Sequence, residues 1–252
     1  MKQNYNDEVK QVYEETDFYI NEFQNYKDDI YFWMKLVDEL KPKSILEIGI
    51  GNGRLIKLLH NKTKKYDGMD FSKTIIEYCK KSIKYKNGTF YHQDLKESTI
   101  DYKYDLIILP FNVINNFYTK EDLDKAFKNI KKMCHESTFI VIDTINPKLT
   151  DLISSGYKKT NIFEYNDEII TIYESKSFDE TSLTCMYTKQ YRNGNKTIYQ
   201  CILPNRIFFH PELLLLLDYY GFKIIDEYGD YNFEMYTEKS RKQIFVVERK
   251  RE

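Results

Sequence analysis

The residues with the strongest claim to chemistry lie in Ser44-Ile-Leu-Glu47-Ile-Gly49-Ile-Gly51-Asn-Gly53-Arg54-Leu55, with Asp70 following. A short apolar strand runs into a glycine turn and then into an apolar-periodic helix, Leu55 to His60. Gly49, Gly51 and Gly53 carry no Cβ, so a strand-to-helix turn there can bend sharply and let a ligand approach the backbone. Asp70 closes the next apolar stretch, Tyr66 to Asp70, at the distance where an acid meets the hydroxyls of a nucleotide ribose. Glycines alone would fit any α/β turn. The acid at the end of the following strand is what points to a nucleoside.

Spacing separates the candidate nucleosides. The dinucleotide fingerprint is G-x-G-x-x-G, its third glycine admitting close helix–strand packing around a pyrophosphate. Here the glycines alternate, Arg54 stands where that third glycine would be, and no G-x-x-x-x-G-K-[ST] phosphate loop occurs. The stretch Glu47-Ile-Gly-Ile-Gly-Asn-Gly53 resembles motif I of the class I S-adenosylmethionine-dependent methyltransferases, and Asp70 matches their ribose-binding acid. The resemblance covers roughly residues 40–145 and 205–250. It extends to the tail, Arg206-Ile-Phe-Phe-His-Pro-Glu-Leu and Ile-Phe-Val-Val-Glu-Arg-Lys. It resembles the small-molecule branch with an antiparallel sheet over the active-site mouth, as in sugar N-methyltransferases and glycine methyltransferases.

That resemblance implies S-adenosylmethionine as cofactor, with Gly49, Gly51 and Gly53 at its methionine moiety and Glu47 helping to hold its ammonium. Asp70 would take both ribose hydroxyls and Asp94 the adenine amino group, with Leu95 beside the ring. Arg54, Phe71 and Pro110 are also expected at the cofactor, and Tyr13 and Tyr19 as lid residues over it. A methylsulfonium is already an activated electrophile, so alignment and exclusion of water are the main tasks left to a protein. No metal is needed for that. His60, His92, His135 and His210 form no ligand spacing, and no metal site is expected.

The elements that must position these groups alternate. After Asp70 come a helix from Ser72, its N-cap, then a strand from Thr89 to Gln93 and a buried strand from Tyr104 to Leu109. Leu123 to Met133 reads as a helix and Ser137 to Asp143 as a further strand. This order predicts parallel βαβ units with ligands at the carboxyl ends of the strands. Glu47, Asp70, Asp94, Asn112 and Asp143 all fall at or just past such ends. The fold class expected is α/β: a Rossmann-like, seven-stranded, mostly parallel sheet with helices on both faces, plus an inserted antiparallel β-sheet.

Residues 1–40 read as aromatic-rich helices, expected as a lid. Residues 41–160 and 207–252 form the expected core. Residues 161–206 alternate as an antiparallel meander, in strands Glu168–Phe178, Ser182–Arg192 and from Lys196, with turns at Asp179-Glu180 and Asn193-Gly194-Asn195. A helix from Pro211 to Tyr220 stops at Gly221, and two last strands follow.

The acceptor side is expected at His210, Asn112 and Asp143 as catalytic residues, with Asn112, Asn115, Tyr187, Tyr199 and Arg206 at the substrate. His210 lies where insert and core join, and an imidazole there has a pKa suited to a general base. The loop Pro110-Phe-Asn-Val-Ile-Asn-Asn116 departs from the Asn/Asp-Pro-Pro-Tyr/Phe tetrapeptide of enzymes that methylate nucleobase or glutamine amino groups, which argues against DNA. Tyrosines of the insert equally suit cross-strand pairs on a sheet surface.

Composition bounds these readings. A chain of 252 residues with 42% apolar residues and a net charge of −1 is a globular protein, with no electrostatic reason to bind a nucleic acid or an anionic membrane. No apolar run reaches the roughly 18 residues of a membrane span, and the first residues lack the apolar core of a signal peptide. A cytoplasmic protein with buried free thiols at Cys79, Cys134, Cys185 and Cys201 is expected. The reading is methyl transfer to an O or N atom of a small polar metabolite, with homodimerisation a second use of the insert sheet. The other classes are a non-catalytic S-adenosylmethionine-binding accessory protein, a macromolecule methyltransferase, and a dehydrogenase, against which the alternating glycines speak.

Overall fold

The structure is a computed structural model that describes residues 8, 12, 13 and 16–250. In chain order its elements are α1 (Thr16–Phe23), α2 (Ile30–Leu40), β1 (Ser44–Ile48), α3 (Arg54–Leu59), β2 (Lys65–Asp70), α4 (Lys73–Ser82) and β3 (Phe90–His92). There follow β4 (Tyr104–Leu109), α5 (Lys120–Lys132), β5 (Cys134–Ile145), β6 (Ser155–Tyr165), β7 (Glu168–Asp179), β8 (Thr184–Asn193) and β9 (Lys196–Arg206). The last are α6 (His210–Tyr219), β10 (Phe222–Tyr228) and β11 (Lys242–Arg249). No described helix is long and apolar enough to cross a membrane.

The chain divides into two units, Met1–Tyr26 with Pro147–Ile207, and Lys27–Asn146 with Phe208–Glu252. The second unit holds a seven-stranded sheet in the order β10-β11-β5-β4-β1-β2-β3. Its pairs from β5 to β3 are parallel, while β11 runs antiparallel to both β5 and β10. Strands buried on both faces explain the continuous apolar runs that the sequence shows. Leu46, Ile107, Ile140 and Val247 pack in one core cluster with Leu123 and Phe127 of α5 and Leu213 and Leu217 of α6. Their neighbours of opposite parity, Ile45, Ile108, Val141 and Val246, are buried as well. The order reverses between β4 and β1, so the crevice outside the carboxyl ends of those two strands is the binding position this topology provides.

Helix α2 presents Phe32, Trp33, Leu36 and Val37 as its buried face, and it belongs to this core unit. Of the lid expected over residues 1–40, residues 1–7, 9–11, 14 and 15 lie outside the described residues, and α2 falls in the same unit as the seven-stranded sheet. Gln243 marks where the insertion leaves and returns. Its Nε2 donates both to the Ile145 carbonyl at 2.8 Å and to the Phe208 carbonyl at 3.0 Å.

The first unit is built on the antiparallel sheet β6-β7-β8-β9. The meander has four strands where the sequence suggested three, because it begins at Ser155. β6 is an edge strand and mostly exposed, so it shows no inside–outside alternation. The turn joining it to β7 is Asn166-Asp167, both at positive φ (51° and 63°), as a two-residue hairpin with right-handed strand twist requires. Within this unit α1 covers part of the sheet. Phe18 packs against the rings of Tyr165, Tyr191 and Tyr199, while Glu22 accepts from Lys189 Nζ at 2.6 Å and Tyr191 Oη at 2.7 Å.

Candidate active site

The glycine turn follows β1 at the crevice. Gly49, Gly51 and Gly53 all have positive φ, at 73°, 52° and 68°. At Gly49 a side chain is excluded twice, since a Cβ would also lie 2.5 Å from Val113 Cγ2. The N–H groups of Gly49 and Ile50 both donate to the Met69 carbonyl, at 2.8 and 3.0 Å, which ties the turn to the end of β2. Beneath it the Cys79 thiol donates to the Gly51 carbonyl, and burial pushes that thiol up to about 12, so it is held as an inert neutral group.

Asp70 ends β2 facing this turn. Its Oδ2 accepts from Gly51 N–H at 3.2 Å and its Oδ1 from Ser72 N–H at 2.9 Å. Desolvation raises its pKa to about 6 against those two backbone bonds, which pull it down. Glu47 lies at the end of β1 and is 2% exposed. Its Oε2 accepts from Tyr66 Oη at 2.9 Å, and burial raises its pKa to about 8 against that bond and the charge of Arg54. No described cation makes an ion pair with it. A carboxyl in this state gains most from a cation delivered by a ligand.

Arg54 opens α3 and is clamped by Asp29, Nη1 to Oδ1 and Nη2 to Oδ2, both at 2.5 Å. Asp29 is fully buried and also accepts from Trp33 Nε1 at 3.0 Å. Sequence reading missed Asp29. It precedes a helix and looks like an N-cap, yet it makes no side-chain cap bond.

The loop after β4 forms the facing wall. Pro110 is buried, and Phe111 and Asn112 are consecutive residues at positive φ, 53° and 66°. Left-handed geometry costs a non-glycine residue roughly 1–2 kcal/mol, so the surroundings must enforce it. Asn112 N–H donates to the Asp143 carbonyl and its Oδ1 accepts from Ile145 N–H, both at 2.9 Å. Asn115 is fully buried, its Oδ1 accepting from Thr144 Oγ1 at 2.6 Å. Asp143, expected as catalytic, is fully buried with its oxygens engaged by Phe111 N–H, Tyr231 Oη and Lys242 Nζ. That is the coordination of an anchor. Asn112 likewise spends its side-chain oxygen on the backbone of β5. Neither is a group poised to take a proton.

Asp94 follows β3 and caps a short 3₁₀ turn, Oδ1 accepting from Lys96 N–H at 2.9 Å, with Lys96 Nζ 3.4 Å from Oδ2. Leu95 beside it is 4% exposed. The Phe71 carbonyl lies 3.1 Å from His92 Nε2. His210 begins α6, its Nε2 paired with Glu227 Oε1 and its ring stacked on Tyr236 at 4.1 Å. Strand pairing puts Glu227, on β10, at the same sheet end as Asp143 but on the outermost strand.

Tyr13, Tyr19, Tyr187, Tyr199 and Arg206 belong to the other unit. Tyr13 and Tyr19 meet edge to face at 5.0 Å, Tyr199 stacks on Phe18 at 5.4 Å, and Tyr187 pairs with Leu203 and Lys176 across the sheet. Arg206 Nη1 donates to the Ile207 carbonyl.

This architecture agrees with what similar proteins show. Residues 45–137 match a family model described as a methyltransferase domain. A ribosomal RNA small subunit methyltransferase A from Mycoplasma mobile is 30% identical over 141 residues, 55% of this chain and 55% of its own length. The chain thus spans about half the length of that curated relative. An S-adenosylmethionine-dependent methyltransferase structure from Clostridium acetobutylicum superposes with a TM-score of 0.79 at 17% identity, covering 95% of this chain and 99% of that one. A sugar N-methyltransferase from a Streptoalloteichus species superposes at 0.77 with 13% identity, covering 100% of this chain and 98% of that one. The methyltransferase-domain match runs from β1 into β5, and the fold is the one these S-adenosylmethionine-dependent methyltransferase structures share.

Proposed function

We propose that the protein transfers the methyl group of S-adenosylmethionine to an O or N atom of a small polar metabolite. The observation that carries the cofactor half is the glycine turn, left-handed at all three glycines, with Asp70 bonded to Gly51 and, at the end of β1, a buried Glu47 that no described cation pairs. Asp70 takes the ribose hydroxyls, Glu47 the ammonium, and the 110–113 wall faces the sulfur. Asp94 Oδ2 takes the adenine amino group in exchange for Lys96. Supplied with this cofactor, the chain has only to bind, orient and exclude water.

The small-molecule half rests on two supports. The sugar N-methyltransferase superposes over 100% of this chain, a span that includes the antiparallel unit, and a net charge of −1 offers a polyanion no attraction. The insert, with Tyr187, Tyr199 and Arg206, is the proposed source of acceptor contacts. A ribosomal RNA substrate is the second reading, favoured by the Mycoplasma mobile relative over about half of its length.

Incubation with methyl-labelled S-adenosylmethionine, separately with a panel of amino sugars and nucleotide-linked sugars and with ribosomal RNA, tests both. Label in the small-molecule fraction supports the proposal. Label in RNA alone reverses it, and tight cofactor binding with no transfer to any acceptor favours an accessory binding protein.

A further inference from the structure

One carboxylate joins four separate segments beside the proposed methyl site. Asp143, on β5, is fully buried. Its Oδ2 accepts from Phe111 N–H at 2.9 Å and from Tyr231 Oη at 2.8 Å, and its Oδ1 from Lys242 Nζ at 2.9 Å. Its carbonyl accepts from Asn112 N–H at 2.9 Å. The Lys242 side chain, first in β11, is only 14% exposed and is ion-paired with this acid.

Both residues that Asp143 holds by their N–H groups are at positive φ, and no glycine is present to make that geometry easy. Phe111 is also flanked by cations, Arg54 at 5.6 Å and Lys242 at 5.9 Å from its ring centroid. Val113, which follows Asn112, fills the space where a Cβ on Gly49 would be. A displacement of the Asp143 contacts is therefore transmitted through Phe111 and Asn112 to Val113 and onto the glycine turn.

We infer that Asp143, Lys242 and Tyr231 form a positioning unit that sets the Phe111–Val113 wall against the glycine turn and thereby fixes the methionine end of the bound cofactor. It rests on the methyltransferase reading above. The wall follows β4 and adjoins β1, whereas Asp70 and Asp94 lie beyond β2 and β3. The unit acts on the methionine moiety and leaves the adenosine moiety to Asp70 and Asp94.

The test compares calorimetric affinities for S-adenosylhomocysteine, which has both moieties, and adenosine, which has one. Asp143→Asn strands the Lys242 charge and Lys242→Met strands the Asp143 charge. Each is expected to weaken S-adenosylhomocysteine by about tenfold or more and adenosine by less than about twofold, since truncating one partner of a buried pair leaves the other uncompensated. The double variant D143N/K242M restores neutrality and is expected to recover S-adenosylhomocysteine binding to within about threefold of wild type. Equal losses for both ligands, unchanged affinity for both, or no recovery in the double variant would overturn the inference. If the single charge variants do not fold, Tyr231→Phe removes one hydrogen bond and no charge. It should weaken S-adenosylhomocysteine alone by about threefold, and an unchanged affinity overturns the inference. Wild-type protein that binds neither ligand overturns the methyltransferase reading itself.

Discussion

Arg54 and Asp29, 25 positions apart, form a two-pronged ion pair that fastens α2 to the first turn of α3. Asp29 is fully shielded and the Arg54 side chain is 17% exposed, so each depends on the other for neutralisation. The pair sits directly after the glycine turn and keeps the guanidinium beside the Phe111 ring. Asp29→Ala should cost about 3–5 kcal/mol, as breaking a buried pair does. Arg54→Lys should lose most of that too, because an ammonium cannot span both oxygens. Chemical denaturation measures the loss. Trp33, the sole tryptophan, donates to the same acid and reports the change by its fluorescence.

Glu47 makes the empty protein pH-sensitive in an unusual direction. Its folded pKa, about 8, is above the ordinary carboxyl value of 4.5, so between those two pH values the folded chain holds a proton that the unfolded chain has released. Stability of the empty protein therefore falls as pH rises through that window, by about 3–5 kcal/mol from this group. Glu47→Gln keeps a neutral group beside Tyr66 and should raise Tm by at least about 5 °C at pH 8.5, while leaving it nearly unchanged at pH 5. Cofactor binding has the opposite sign, because an ammonium favours the ionised acid. Calorimetry at pH 7 in buffers of different ionisation enthalpy should show about one proton released per cofactor bound. No proton release would separate Glu47 from the ammonium.

Much of this was legible in the sequence, for reasons that individual residues make plain. Alternating glycines before an apolar helix, and an acid ending the next buried strand, are local patterns. They located the turn, Asp70 and the parallel core. Partnerships across long separations leave no such trace. Asp67 and Asp70 share one strand and one residue type, yet Asp67 is neutralised by Lys65 and bonded by Tyr104 and Thr89, a structural arrangement. Asp70 accepts from the backbone N–H groups of Gly51 and Ser72 at the glycine turn. The same limit hid Asp29, Tyr231 and Lys242, each defined by a partner at least 25 positions away. β6 escaped because an exposed edge strand carries no burial pattern to read.

Gly49 should tolerate no side chain. Gly49→Ala faces a left-handed backbone penalty of roughly 1–2 kcal/mol and an overlap with Val113 worth about 1–3 kcal/mol. Adding Val113→Ala removes the overlap and leaves the backbone term, so G49A/V113A should be more stable than G49A yet less stable than V113A. Urea denaturation of the three variants separates the terms. Full recovery in the double variant would show that the positive φ is not required.

Asp70 should act through the ribose hydroxyls and not merely through the turn it supports. Both its oxygens already accept backbone N–H bonds, so Asp70→Ala removes support from Gly51 and Ser72 as well as a ligand contact. Loss of S-adenosylhomocysteine affinity alone is therefore ambiguous. The expected loss is about 1.5–3 kcal/mol, tenfold or more, from the range for hydrogen bonds to charged groups. An analogue lacking both ribose hydroxyls resolves it. With wild-type protein the analogue should lose most of the affinity that Asp70→Ala costs S-adenosylhomocysteine, and the variant should bind analogue and parent nearly equally. That pattern is the coupling of a double-mutant cycle with one partner on the ligand. If Asp70→Ala weakens the analogue as much as the parent, the carboxylate serves the glycine turn only, and the hydroxyls must be sought by another donor or acceptor at the end of β2.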